Sequence, residues 1–314
     1  IELELMSNLI RAMMGASGVS TDDGFFGTGA TSGYMSGGSS TTDVIDKHSF
    51  PDGTDSTDVG DLTLARSGQS GTSSSVSGYS AAGNSASDDD RIDKFSFSSD
   101  GNATDVGNTA TARADGENAG FQSATYGYSS GGYSGGYLKD CDKYAFASDG
   151  DATDVGDYVG TTRNGPSGAN SETHGYVFGG ESSGTLDIIE KFSLSSDGNS
   201  VDVGNMDLHR DGLGTTSTAT YGHTAGGYTG GPTVNRENIE KSLWASDGNA
   251  TDIADLLGAN RRGIGTSEES YGYYMGGNTG SSTDIIQKYS NSSDANATLQ
   301  QHELAEQDNK YEHS

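Results

Sequence analysis

The sequence predicts an all-β fold, a six-bladed propeller with four antiparallel strands in each blade. Three observations carry this. The segment DKFSFSSDGNATDVG at 93–107 recurs as DKYAFASDGDATDVG at 142–156, EKFSLSSDGNSVDVG at 190–204 and EKSLWASDGNATDIA at 240–254. An opening copy, DKHSFPDGTDSTDVG, lies at 46–60, and a truncated sixth, QKYSNSSDANAT, at 287–298. The lysine of each copy (Lys47, Lys94, Lys143, Lys191, Lys241 and Lys288) returns at spacings of 47, 49, 48, 50 and 47. A period of this size, holding four short strand-like runs, suits a propeller blade and not a helical solenoid. Finally, 49 glycines against three prolines place the turns on Gly, Asp, Asn and Ser.

Each element of the unit has its own signal. In the fourth copy the strands are expected at Thr173–Phe178, Asp187–Leu194 and Ser200–Met206, with the opening strand visible one unit on at Leu213–Thr216. Phe95 and Phe97 share one face of their strand while Lys94 and Ser96 take the other, the alternation of a half-buried sheet. The SDGN between two such runs reads as a hairpin turn, because Asp-Gly and Gly-Asn readily supply positive φ. A second basic series, Arg66, Arg113, Arg163, Arg210 and Arg261, precedes a run of small residues. A glycine pair ends the aromatic strand: Gly37-Gly38, Gly131-Gly132, Gly179-Gly180, Gly226-Gly227 and Gly276-Gly277, with Ala82-Gly83 in the second copy. Tyr126, Tyr128, Tyr176, Tyr221, Tyr271 and Tyr273 are expected to fill the space between blades, where Gly, Ala and Ser near the axis let the sheets approach.

Composition alone reads as disorder, with 31% apolar residues and a net charge of −28. The repeat overrides that reading. The charge still argues against nucleic acid and anionic membrane as partners, and no apolar run is long enough to span a bilayer. The single cysteine, Cys141, forms no intrachain disulfide and is read as a buried structural thiol.

The order Arg, small-residue strand, aromatic strand ending in Gly-Gly, then strand, turn and short outer strand resembles the kelch repeat, from about Met13 to Thr298. It departs from that family where a Trp usually opens the outer strand: Asp-Val or Asp-Ile stands there, and Trp244 lies earlier. The near-identical, glycine-rich copies also resemble kelch-like repeat proteins of marine bacteriophages.

A ring must join its last blade to its first. Ile1, Leu3 and Leu5 alternate with Glu2 and Glu4, and in register they fall over the outer strand of a copy. The expectation is therefore that residues 1–6 supply the outer strand of blade six, beside Thr283–Tyr289, so that the N-terminal strand closes the ring. The rival is closure by Ala297–Gln300. The propeller then spans 1–298, and 299–314, of helix-forming composition, is a C-terminal appendage.

The repeated turn SxDGNATD offers Asp100, Asn102 and Asp105, with Asp149, Asp151 and Asp154, as oxygen ligands for calcium. The competing and preferred reading is that these residues satisfy turn backbone. The expectation is no required cofactor and no metal site. NAT at Asn102, Asn249 and Asn296 and NSS at Asn291 match the glycosylation pattern, explained by duplication. The six histidines show no metal-ligand spacing, and the arginines are spent one per blade, so catalytic residues are not expected and the protein is read as a non-enzyme.

The loops after each Gly-Gly vary most, and variable loops on a rigid scaffold are where binding specificity lives. Tyr133, Tyr137 and Tyr228 are the candidate contacts, with Arg236 and Arg262 as basic residues outside the regular series. The resemblance implies a virion-associated structural or adhesion protein of a bacteriophage, in a tail fibre or as surface decoration. It would present its loops to a host-surface glycan or another virion protein, in a virion or extracellular setting, with a homo-oligomer as an admissible assembly. The alternative is a secreted or cell-surface lectin-like bacterial adhesin; an intracellular scaffold suits so acidic a surface less well.

Overall fold

The computed structural model describes residues 12–16, 31–38, 42–50, 55–113, 118–230 and 234–302. They form six antiparallel sheets arranged as a ring, a six-bladed β-propeller. Blade one holds β1 (Ala12–Ala16), β2 (Ser32–Ser36), β3 (Val44–Ser49) and β4 (Thr57–Asp61). Blade two holds β5 (Ser70–Ser73), β6 (Ser77–Asn84), β7 (Asp88–Ser96) and β8 (Thr104–Arg113). Blade three holds β9 (Ala119–Gln122), β10 (Tyr126–Ser130), β11 (Asp140–Ala145) and β12 (Thr153–Asp157). In blade four, β13 (Ser167–Asn170), β14 (His174–Phe178), β15 (Ile188–Ser193) and β16 (Val201–Asn205) fall where the sequence places them. Blade five adds a short β19 (Tyr228–Thr229) to β17 (Gly214–Ser217), β18 (Tyr221–Ala225), β20 (Val234–Leu243) and β21 (Thr251–Asn260). Blade six is β22 (Ile264–Ser267), β23 (Tyr271–Met275), β24 (Ile285–Ser290) and β25 (Thr298–His302).

The innermost strands lie close because they meet at glycine. A Cβ added to Gly168 would stand 2.2 Å from the carbonyl oxygen of Gly120 on the preceding blade. Outside this layer, an aromatic ring on the second strand of blades one, two and four stacks on a ring just past the third strand of the next blade. Tyr34 stacks on Phe97 at 4.9 Å, Tyr79 on Phe146 at 4.7 Å and Tyr176 on Trp244 at 4.2 Å. Such pairs contribute about 0.5–1.5 kcal/mol each beyond the area they bury. Tyr128, Tyr176 and Tyr273 are buried, as expected of seam residues. Tyr126 and Tyr271 are not: both are 38% exposed, and Lys143 and Lys288 lie over their rings at 5.0 and 4.9 Å. Being first in their strands, they stand at the edge of the seam, where a cation can cover them.

Every blade carries a β-bulge between its third and fourth strands, at Ile45/Asp46, Ile92/Asp93, Cys141/Asp142, Ile189/Glu190, Ile239/Glu240 and Ile286/Gln287. A bulge bends the strand and re-aims side chains. Here the apolar residue and the polar residue after it are both buried, where strict alternation would expose one of them.

The ring closes otherwise than the N-terminal reading expects. The place beside β24 is taken by β25, which pairs Ile285 with His302 and Lys288 with Thr298. The reason is the turn before it. Ala297 donates its N–H to the Asp255 carbonyl at 2.8 Å, and Asn296 Oδ1 accepts the Asp255 N–H at 3.1 Å, as the other turns do on their preceding blades. Once that turn is anchored, backbone pairing extends the strand through TLQQH although the DVG signature is missing. Blade six is thus one continuous segment and runs past the expected boundary at 298. Its partner at closure is blade one, reached by Tyr273 stacked on Phe50 at 4.7 Å. Residues 1–6 and 303–314 lie outside the described residues.

Candidate binding face

The two ends of the ring are built differently. One carries the hairpin turns between third and fourth strands. There Lys47 reaches Asp100 (3.2 Å), Lys94 reaches Asp149 (2.9 Å), Lys143 pairs with Asp197, Lys191 reaches Asp247 (2.6 Å) and Lys241 reaches Asp294 (2.5 Å). Each lysine thereby ties its blade to the turn of the next. Asn102 Oδ1 accepts the Asp61 N–H at 3.2 Å, Asp151 Oδ1 the Asn108 N–H at 3.0 Å, and Asn249 Oδ1 the Asn205 N–H at 3.1 Å. Asp105 and Asp154 accept the N–H two residues on, from Gly107 and Gly156. All six calcium candidates are therefore engaged in turns and inter-blade staples. Among the described residues no three His, Cys, Asp or Glu side chains group to hold a metal.

The opposite end carries the Gly-Gly loops and the connections between blades. Its frame is a buried ion pair. Arg66 meets Asp93 at 2.8 Å, Arg113 meets Asp142 at 2.7 Å, and Arg163 and Arg210 pair with Glu190 and Glu240, with all these side chains buried. The acid also accepts a backbone N–H from the connection, that of Thr63, Thr111, Gly160 or Asp207. Burial raises the pKa of Glu240 and lowers that of Arg210, and each charge opposes the other's shift. Gly179 shows why glycine ends the second strand. Its φ is +57°, and a Cβ there would stand 2.2 Å from the Arg210 carbonyl oxygen.

In blade six the arginine position is Asn260, not Arg261. Asn260 Nδ2 donates to the Gly276 carbonyl at 2.9 Å, as Arg210 Nη1 donates to that of Gly226 at 2.6 Å. The acid position is Gln287, which accepts the Leu257 N–H at 2.7 Å. Both charges of the pair are replaced by amides together. Arg261 instead lies over the Tyr228 ring at 5.0 Å.

On this frame, in blades two, four, five and six, the residue after the glycine pair bonds through its backbone to the residue after the arginine position. The bridges are Ser67–Asn84, Asn164–Glu181, Asp211–Tyr228 and Arg261–Asn278. The geometry repeats, and the side chains do not.

Tyr133 and Tyr137 bridge one another across the blade-three loop, half-buried, with rings 5.9 Å apart at 71°. Burial pushes the Tyr137 hydroxyl up, helped by Glu181 on the blade-four loop, Tyr133, and Asp211 before blade five. Tyr228 sits in β19, its backbone paired with that same Asp211. The structure thus sets Tyr133 against Tyr137 and pairs Tyr228 with Asp211, and the charges of Glu181 and Asp211 act on Tyr137; these two acids are residues the sequence reading missed. Their signal was available: both occupy the non-repeating positions beside the glycine pair and the arginine.

Arg236 holds its own hairpin, donating its N–H to Gly227 at 2.8 Å and its guanidinium to Thr229 Oγ1 at 3.0 Å. Arg262 anchors the connection to blade six, with φ +58° and its N–H on the Gly212 carbonyl at 2.7 Å. Neighbouring loops also touch, Ser134 on Asp88 at 2.7 Å and Asn235 Nδ2 on the Asn278 carbonyl at 2.8 Å. Cys141 takes the isoleucine place in its bulge and packs with Phe121, Tyr128 and Val177. Burial first, then Asp142, pushes its thiol well up, which suits packing and not nucleophilic attack.

No family model matches the chain, and no curated protein is similar to it.

Proposed function

We propose that the chain is a non-enzymatic, kelch-type binding propeller that presents its Gly-Gly loop face to a glycan or a protein. One observation carries this reading. At positions of equivalent backbone geometry, the turn end repeats Asp and Asn from blade to blade, whereas the loop end holds Asn84, Tyr133, Glu181, Tyr228 and Asn278. Duplicated copies keep a residue where a contact between blades requires it. They diverge where only the surroundings do, and tyrosine among Gly, Ser and Asn is a composition suited to contact surfaces. The order of arginine, aromatic strand and glycine pair supports the kelch-type assignment. The phage-like texture of the repeats supports a virion protein, in a tail fibre or as decoration, meeting a host glycan or another virion component.

Immunogold labelling of purified phage particles and of uninfected cells tests the setting. Gold on particles is expected, and gold on cells alone would replace the virion reading with a lectin-like adhesin. A glycan array probed with the wild type and with the Tyr133→Ala, Tyr137→Ala, Tyr228→Ala triple variant tests the face. Glycan binding that survives in the variant moves the site elsewhere.

A further inference from the structure

Blade six departs from its neighbours at both of its seams. In the aromatic ladder, the second-strand ring is Tyr34, Tyr79, Tyr128, Tyr176 or Tyr273, except in blade five, where it is His223. That imidazole is buried and meets Tyr289 of blade six edge-on at 5.3 Å, with Thr216 Oγ1 3.4 Å from its Nδ1. At the other seam, blade one carries His48 where Phe95, Tyr144, Phe192 and Tyr289 stand in other blades. His48 is fully buried, 6.1 Å from Tyr273 of blade six and 6.2 Å from Phe50. Both histidines sunk in the described seams therefore border the same blade.

That blade is also held differently. It lacks the arginine–carboxylate pair of blades two to five, carrying Asn260 and Gln287 instead. It joins blade five through the chain and, among the described residues, meets blade one by packing and by the hydrogen bond of Tyr273 Oη on the Phe50 carbonyl.

We propose that the seam between blades five and six is acid-releasable: protonation of His223 loosens it and opens the ring there before the other seams separate. The charges around His223 favour the neutral ring. Burial lowers its pKa to about 4, Lys241 opposite it on β20 pushes the same way, and Asp294 on the blade-six turn opposes them. Asp294 is itself paired with Lys241 at 2.5 Å.

The sign follows from these surroundings. His223, held neutral in the closed ring, takes up a proton more readily once its seam is open, so stability rises with pH across the window. For His223 the open state gains about tenfold per pH unit as pH falls from roughly 6.5 towards the folded value.

Hydrogen–deuterium exchange on the full chain at pH 7.0 and pH 5.0, corrected for intrinsic rates, tests this. Protection in 264–302 is expected to fall tenfold or more at the lower pH, while β10–β16 keep theirs. His223→Tyr installs the residue that the same position carries in the other blades, and this variant is expected to keep blade six protected at pH 5.0. Uniform loss over all blades, no loss at all, or lability that persists in the folded variant would each overturn the proposal. Should that variant not fold, the wild-type profile and His223→Phe decide it.

Discussion

At the end of the ring that carries the hairpin turns, Asp100, Asp149, Asp197, Asp247 and Asp294 occupy one position and make one contact, each with a lysine of the preceding blade. At the opposite end the position after the glycine pair is Asn84, Tyr133, Glu181, Tyr228 or Asn278. Backbone hydrogen bonds occur at both ends. What differs is which atoms hold it. At the turn end Lys, Asp and Asn side chains share the inter-blade bonding with backbone bonds such as Ala297 to Asp255, so a change of residue weakens a seam. At the loop end backbone bridges, the glycine pair and a buried arginine do that work, which leaves the outer side chains free to differ.

Substitutions can break this contrast in order of expected effect. Arg210→Ala removes a frame charge and leaves Glu240 buried without its cation, and should cost about 3–5 kcal/mol in urea unfolding. A loss below about 1 kcal/mol would mean the frame is not the arginine pair. Next comes acid. With its pKa lowered from 6.5 to about 4, His223 alone should remove roughly 3 kcal/mol of stability between those pH values, lost as pH falls. Glu240 and Asp142, whose carboxyls burial pushes up, act in the opposite sense, since their cost is relieved on protonation. Urea midpoints of wild type and His223→Tyr across that window separate the two contributions.

Smaller effects sharpen the comparison. Asn249→Ala removes the acceptor of the Asn205 N–H and should cost about 1 kcal/mol. Lys191→Ala opens an ion pair whose aspartate is about half exposed, and its cost should stay under about 1 kcal/mol and shrink with added salt. Smallest in stability is Glu181→Gln on the loop face, expected within about 0.5 kcal/mol in thermal melts. A larger loss there would show that the loop face is as constrained as the turn face.

Much of this was legible in the chain. Blade number, strand positions in the fourth copy and the place of the Gly-Gly pair follow from the period. Tyr133, Tyr137 and Tyr228 stood out because they interrupt a repeat. Three features were not legible. The bulge at Ile189/Glu190 turns two successive residues inward, against the alternation that strand reading assumes. Arg261 looked like the fifth member of its series, yet Asn260 occupies the site, because one residue of offset cannot be told from a connection that is one residue longer. The N-terminal closure relied on apolar alternation, whereas the turn anchored at Asn296 places β25 beside β24.

The sequence by itself determined the unit and its count, since duplication writes both directly into the spacing of lysines and glycine pairs. Only the tertiary structure decided which residues meet across blades: His223 with Tyr289, His48 with Tyr273, Lys191 with Asp247. Those contacts join residues tens to hundreds of positions apart, and local periodicity carries no information about them. They arise because each blade must bury one face against a neighbour whose identity is set by closing the ring.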